Sequence, residues 1–272
     1  MYLDYYNLRE TPFSLTPDPR FLFLSARHRE ALDHLLYGIR ERKGFVQITG
    51  EVGAGKTTIC RAALERLDPG YKTALVLNPL LSSSQLLRTI LVELGVDPPA
   101  RTDRALYLER LNAFLLAQVP LGREVVLFVD EAQDLSPELL EQIRLLSNLE
   151  TDRQKLLQIV LLGQPELART LDRPELRQLR QRIAVRYHLP PLSRDEVELY
   201  VHWRLQVAGA RNGRPSFTPR AIRRLHRYSR GIPRLVNAAC DTALLAGYVD
   251  GVDELGPDHV RRAVRELEGR SA

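Results

Sequence analysis

The sequence predicts a doubly wound α/β core with a parallel sheet, followed by an all-helical lobe. Three observations carry that prediction. Strand-length apolar runs alternate with helix-length amphipathic stretches between about residue 26 and residue 189. The strongest runs, VVLFV at 125–129 and LQIVLL at 157–162, show little polar alternation, as strands covered on both faces do. After Pro190-Pro191 the remaining periodicity is helical throughout.

The elements follow in order. Residues 1–25 mix aromatics with Pro12, Pro17 and Pro19 and read as an extended arm with turns. A helix over 26–42 leads into a short buried strand, Phe45 to Thr49, and a further helical stretch follows the glycine-rich turn after it. Thr73 to Leu77 is the second strand. Ser82 and Gln85 have capping-box spacing, Leu87, Ile90, Leu91 and Leu94 share a face, and Gly95 stops that helix. Leu106 to Leu116 forms another helix. The strand Val125 to Val129 precedes a helix opened by Ser136-Pro137 and running to about Leu149. Leu157 to Leu162 and Ile183 to Leu189 complete the strands. Helices over 193–207, 219–230, 232–247 and 257–268 make the second lobe. The expected domains are therefore 1–190, with the arm 1–25 counted in the core, and 191–272.

Composition narrows the classes. With 272 residues, 44% hydrophobic and 27% charged, the chain is ordinary globular material. Apolar runs stop near eight residues, far short of the roughly 20 that span a bilayer. The opening MYLDYYNLRE has an acid at position 4 and no apolar region, so no secretory signal is expected and the cytoplasm is the expected compartment. Cys60 and Cys240 alone exclude a disulfide scaffold, and the six histidines show no ligand spacing. The net charge of +5 is uneven: residues 200–272 carry 13 Arg against 7 Asp/Glu, a net of +6, with nine arginines and no carboxylate from Arg204 to Arg234. That lobe is suited to meet an anion.

Chemistry concentrates in a few places. Gly50-Glu51-Val52-Gly53-Ala54-Gly55-Lys56-Thr57-Thr58 fits G-x-x-x-x-G-K-[ST] between a buried strand and a helix. Glycines let successive N–H groups and the helix N-terminus face phosphates, Lys56 reaches the β- and γ-phosphates, and the Thr57 hydroxyl ligates Mg²⁺. ATP with Mg²⁺ is the expected ligand. Asp130 ends the VVLFV strand where an acid holds the Mg²⁺ shell, and Glu131 stands next to it as candidate base for the attacking water. Gln164 follows the LQIVLL strand, a position between the loop and Glu131. Arg177, Arg180, Arg182 and Arg186 cluster around the start of the last strand, and one of them can serve as an arginine finger. Gly231-Ile232-Pro233-Arg234 opens a helix with Arg234 placed for a second phosphate contact. Trp203 reads as core, and Phe13 with Pro17 and Pro19 as a cover for the base of the nucleotide.

These residues together resemble AAA+ ATPases. The opening YYNLRETPFSLTPDPRFLFLSARHREALDHLLYGI, with VDEAQDL, LLGQPEL, LRQRIAVRYHLPPLS and GIPRLVN, is similar to the ExeA/GspA branch associated with the general secretion pathway. The resemblance runs through essentially the whole chain. It implies that Lys56 and Thr57 are Walker A residues, Asp130 and Glu131 Walker B, Gln164 sensor 1 and Arg234 sensor 2, with the finger at Arg180 or Arg182. It further implies a homo-oligomer, ring-like or assembled on ATP, an envelope-complex partner and work at the inner-membrane face. Members of that branch continue into a membrane span and a periplasmic peptidoglycan-binding region. This sequence has neither, so it is expected to be the cytoplasmic part or a stand-alone relative.

Two rival readings stay open. AAA+ regulators of transposition share the core and bind DNA, and Arg220, Arg223, Arg224 and Arg227 recur at i, i+3, i+4 and i+7 opposite Ala221, Ile222 and Leu225. That stripe suits DNA, an acidic partner, anionic lipid or plain solvent. The other rival is a nucleotide-gated binding module with little turnover.

Overall fold

A computed structural model describes residues 1–14, 18–77, 81–101, 103–151, 154–211 and 213–269. In chain order the helices are α1 (Tyr2–Tyr5), α2 (Ala26–Arg40), α3 (Lys56–Arg66), α4 (Ser83–Glu93), α5 (Arg104–Gln118), α6 (Pro137–Leu146), α7 (Pro165–Leu171), α8 (Arg177–Arg182), α9 (Arg194–Val207), α10 (Pro219–Ser229), α11 (Pro233–Val249) and α12 (Pro257–Leu267). The strands are β1 (Phe45–Gly50), β2 (Tyr71–Val76), β3 (Glu124–Val129), β4 (Gln158–Gly163), β5 (Ile183–Leu189), β6 (Ser216–Phe217) and β7 (Glu254–Leu255). The chain separates into two compact units, Arg27–Gly50 with Lys56–Leu189, and Met1–Ala26 with Glu51–Gly55 and Pro190–Ala272.

In the first of these, β1 to β5 form one parallel sheet in the order β2-β3-β4-β1-β5. Position in the sheet explains composition. The inner strands β1 and β4 are buried at every residue; two covered faces account for the unbroken apolar run Ile159 to Leu162 in β4, while β1 also buries Gln47 and Thr49. At the edge, β5 alternates buried Ile183 and Val185 with exposed Ala184 and Arg186. From β1 the chain leaves for the far edge, returns through β3 and β4, and then places β5 on the other side of β1. That reversal puts a switch point at the carboxyl ends of the strands around β1, the place where doubly wound folds bind ligands. Leu127, Leu161, Ile90, Leu111 and Ile143 fill the core beneath it, each fully buried apolar side chain contributing about 1.5–3 kcal/mol. Ser82 does form a capping box with Gln85, and Ser136 caps α6, which ends at Leu146, short of Leu149.

The second unit is built on α9 to α12, with Val197, Leu225, Val236, Leu244 and Val260 in its core. Ser193 and Glu196 close a capping box on α9, and Thr218 caps α10. A two-stranded pairing of β6 with β7, too short to leave a periodic signal, ties Ser216–Phe217 to Glu254–Leu255.

Three expectations need correction here. The arm belongs to this helical unit and not to the α/β core, because its apolar side chains Tyr6, Leu8, Phe13 and Phe21 are buried there. Polar groups fasten it as well: Arg9 N donates to Ala208 O at 2.8 Å, and buried Arg204 donates to the carbonyls of Pro12 and Ser14. Phe13, 2% exposed and packed edge-on to Phe217, is therefore core and not a cover for a base; Pro17 lies outside the described residues. Trp203 is 39% exposed, since α9 turns Val197, Tyr200, Val201 and Leu205 inward and leaves Trp203 on the other side.

Candidate functional site

The loop joining β1 to α3 owes its path to glycine. Gly53 has φ +78° and Gly55 φ +105°, a region L side chains enter only with strain. Ala54 N donates to Glu51 O at 3.1 Å and tightens the turn. Helix α3 then starts at Lys56 with no acid in its first turn, so the N–H groups of that turn and the helix dipole favour an anion. Lys56 is buried, and its Nζ donates to Gly50 O at 2.9 Å.

One residue on, the Thr57 hydroxyl donates to Asp130 Oδ2 at 2.5 Å. Asp130 is 3% exposed at the end of β3, two strands from β1 and hence about 10 Å away across the sheet. Thr57 closes that gap because α3 carries it back towards β3. A hydroxyl and a carboxylate in contact are hard oxygen donors, the set that suits Mg²⁺. Asp130 Oδ1 also accepts from Glu131 N at 2.9 Å. That bond offsets part of the strain at Glu131, whose φ of +50° is rare for a side-chain-bearing residue.

Gln164 follows β4, the strand between β3 and β1, so it stands between the Asp130-Glu131 turn and the end of β1. Sequence reasoning missed the residue that joins these elements. Gln133 Nε2 donates to Glu131 Oε2 at 2.9 Å, and Gln133 Oε1 accepts from Gln164 N at 2.9 Å. No spacing rule marks Gln133; only the left-handed turn at Glu131 brings its side chain back.

In the helical unit, Arg234 lies against the loop glycine. A Cβ built on Gly53 would sit 2.6 Å from Arg234 Cβ and 3.4 Å from Ile232 Cγ2. Gly231, with φ +80° and Leu192 O at 1.9 Å from its built Cβ, sets the turn that delivers Arg234.

The arginines before β5 stand apart from this cluster. Ile183 pairs with Phe45 at the start of β1, whereas Leu189 pairs with Gly50 at its end. Arg180 and Arg182 are thus at the amino-terminal edge of the sheet, roughly 17 Å along the strand from the loop. Arg180 is exposed and meets Asp172 at 3.3 Å, while Arg182 is half-buried and donates to Ser147 Oγ at 2.7 Å. On α10, Arg220, Arg223 and Arg227 are exposed and Arg224 half-buried, with no ion pair to any of the four among the described residues. No helix among the described residues is long and apolar enough to cross a membrane.

The profile of a family described as an AAA domain matches residues 39–171. General secretion pathway protein A of Aeromonas hydrophila is 48% identical over 269 residues, which is 99% of this chain. The chain spans about half of that relative, 49% of its length. Among solved structures, the Aeropyrum pernix ORC2 protein in its ADPNP-ADP complexes superposes with TM-score 0.69 at 22% identity, over 97% of this chain and 72% of that one. Cdc6p of Pyrobaculum aerophilum gives TM-score 0.73 at 20% identity, over 94% and 70%. The Aeropyrum pernix ORC1 protein in complex with DNA gives 0.69 at 18%, over 96% and 70%. At these identities the structures speak to the fold.

Proposed function

The chain belongs to the AAA+ family, and from that premise we propose that it binds and hydrolyses ATP to assemble or remodel a partner complex at the cell envelope. The observation that carries the reading is the Thr57–Asp130 contact at the foot of the loop, which brings two sequence-distant oxygen donors together and so supports a Mg²⁺ site there. Thr57 and Asp130 would hold Mg²⁺, which when bound offsets charge on the β- and γ-phosphates. Loop N–H groups from Gly50 to Thr58 and the Lys56 ammonium bind those phosphates. Glu131 takes a proton from the attacking water as its oxygen bonds to the γ-phosphorus and the bond to the bridging oxygen breaks, leaving ADP and phosphate. Gln164 orients the water, and Arg234, seated on Gly53, reports the γ-phosphate to the helical unit.

The finger acts in trans. About 17 Å of strand separates Arg180 and Arg182 from their own loop, so neither serves its own phosphate. Arg180, exposed and held by one 3.3 Å contact, is the better placed to enter a neighbour's site in a head-to-tail homo-oligomer. The likeness to general secretion pathway protein A supports an envelope complex as the partner and the inner-membrane face as the place of work.

Calorimetry and phosphate release test the core of this. Lys56→Ala should abolish ATP binding, and Asp130→Asn should weaken the Mg²⁺ dependence of binding. Glu131→Gln should retain ATP while turnover falls by about two to four orders of magnitude, the range for a lost general base. Unchanged affinity in Lys56→Ala would remove the nucleotide site. Bound ATP with no phosphate release from the wild type would leave a nucleotide-gated binding module.

The unpaired arginine face of α10 favours a second reading, duplex DNA as an additional partner. The ORC1 protein binds DNA in its complex, and a shared fold alone does not extend that to this chain. Duplex affinity should fall with salt, and replacing Arg220, Arg223, Arg224 and Arg227 by Gln should flatten the log–log slope by about 0.9 for each phosphate left without its arginine. Salt-independent binding would remove this reading.

A further inference from the structure

We infer that Gln133 is a positioning residue: its side-chain amide holds the Glu131 carboxylate and ties it to the end of β4 at Gln164. The inference rests on the reading of Glu131 as base. Both ends of the amide are used, the NH₂ donating to Glu131 Oε2 and the carbonyl accepting from Gln164 N, each at 2.9 Å. The turn is built for this. Glu131 takes φ +50°, Ala132 is fully buried as an anchor, and a short 3₁₀ turn over Ala132–Asp134 folds Gln133 back across the strand ends.

The neighbouring strand makes room for it. A Cβ built on Gly163 would meet Gln133 Oε1 at 3.0 Å and Leu167 Cδ2 at 2.9 Å, so a side chain there would press on the same carbonyl that receives Gln164 N. A carboxylate on a short, strained turn has several rotamers open to it, and a base must be held near the water it deprotonates. The amide removes that freedom on one carboxylate oxygen and leaves the other, Oε1, for the water. Because the same side chain grips the Gln164 backbone, a shift of the β4 end is passed to Glu131 through one rigid planar group.

The test uses the whole chain with Gln133→Leu, which removes both ends, and the near-isosteric Gln133→Glu, which keeps an acceptor for Gln164 N and loses the donor. Both should lower kcat by about 10- to 100-fold, the scale of one lost bond to a charged group, with KM for ATP nearly unchanged. In a Glu131→Gln background Gln133→Leu should cost nothing further. Without nucleotide, nuclear magnetic resonance should show the Gln133 side-chain NH₂ signals displaced from their wild-type position in Glu131→Gln, which removes the charged acceptor. Exchange protection of the Gln164 amide should be lost in Gln133→Leu and kept in Gln133→Glu. Wild-type kcat in Gln133→Leu, an equal loss in the Glu131→Gln background, or Gln133 amide signals unmoved in Glu131→Gln would each overturn the inference. Wild-type turnover in Glu131→Gln alone would instead remove the base assignment, and the displacement of the Gln133 amide signals then decides by itself whether Gln133 holds Glu131.

Discussion

Replacing Gly53 by alanine should weaken ATP binding by about two orders of magnitude, and the cost divides into two parts. The backbone part comes from φ +78°, where an added Cβ costs roughly 1–2 kcal/mol. The steric part comes from Arg234: the new Cβ would lie 2.6 Å from Arg234 Cβ and 3.3 Å from its Cδ, and relieving such overlap costs about 1–3 kcal/mol. Since the contacted atom is a Cβ and not a flexible chain end, either the loop or the start of α11 must shift. At about 1.4 kcal/mol per tenfold, even the lower end of the sum exceeds one order of magnitude in Kd if the bound loop keeps its present form. Gly44→Ala is the control, because Gly44 has φ +82° and open space around its built Cβ. It should cost about 1 kcal/mol of stability and leave ATP affinity alone. Thermal unfolding of Gly44→Ala gives the size of a backbone cost alone, and calorimetric titration of Gly53→Ala gives the loss at the loop to set against it. Arg234→Ala in the Gly53→Ala background should not rescue, as it leaves the Cβ in place, whereas Arg234→Gly should recover part of the affinity. Gly53→Ala binding ATP within about threefold of wild type would refute the claim that the loop binds in this conformation against Arg234.

Turnover per subunit should rise with protein concentration, since a finger about 17 Å from its own loop needs a neighbour. Mixing Lys56→Ala with Arg180→Ala subunits should restore part of the activity, and concentration-independent turnover without rescue would defeat the trans arrangement. Arg204→Ala should destabilise the helical unit by about 2–4 kcal/mol, because it leaves the Pro12 and Ser14 carbonyls and the Tyr200 hydroxyl without their charged donor. An unmoved thermal midpoint, read together with unchanged proteolysis of the arm, would contradict this. Cys60 is buried and its thiol is pushed up to about 12, chiefly by desolvation, with Asp130 adding to the shift. It should therefore resist alkylation in native protein at pH 8 and react on unfolding; rapid native labelling would show that the start of α3 opens.

Much of the core was legible along the chain because its signals are local. A glycine-rich turn between a buried strand and a helix is written in consecutive residues, and Asp130-Glu131 and Gln164 each follow directly on a strand whose two covered faces make it apolar after its first residue. Five strands could be read this way, yet their order could not, and the order is what sets β4 and Gln164 between β1 and β3. Other features depend on what lies across the fold. The arm carries apolar side chains either unit might bury, and the Arg9–Ala208 and Arg204–Pro12 bonds decided for the helical one. Trp203 has the hydrophobicity of core, but the phase of α9 leaves it outside. Arg180 and Arg182 are alike in sequence and differ through Asp172 and Ser147. Gln133 is the sharpest case. Nothing in its neighbours along the chain distinguishes it from a surface glutamine, because its role depends on a positive φ at Glu131 and on the backbone of a strand thirty-one residues away. Sequence determines elements through short-range periodicity and backbone preference, while hydrogen bonds between chain-distant groups exist only once tertiary packing has brought them within about 3 Å.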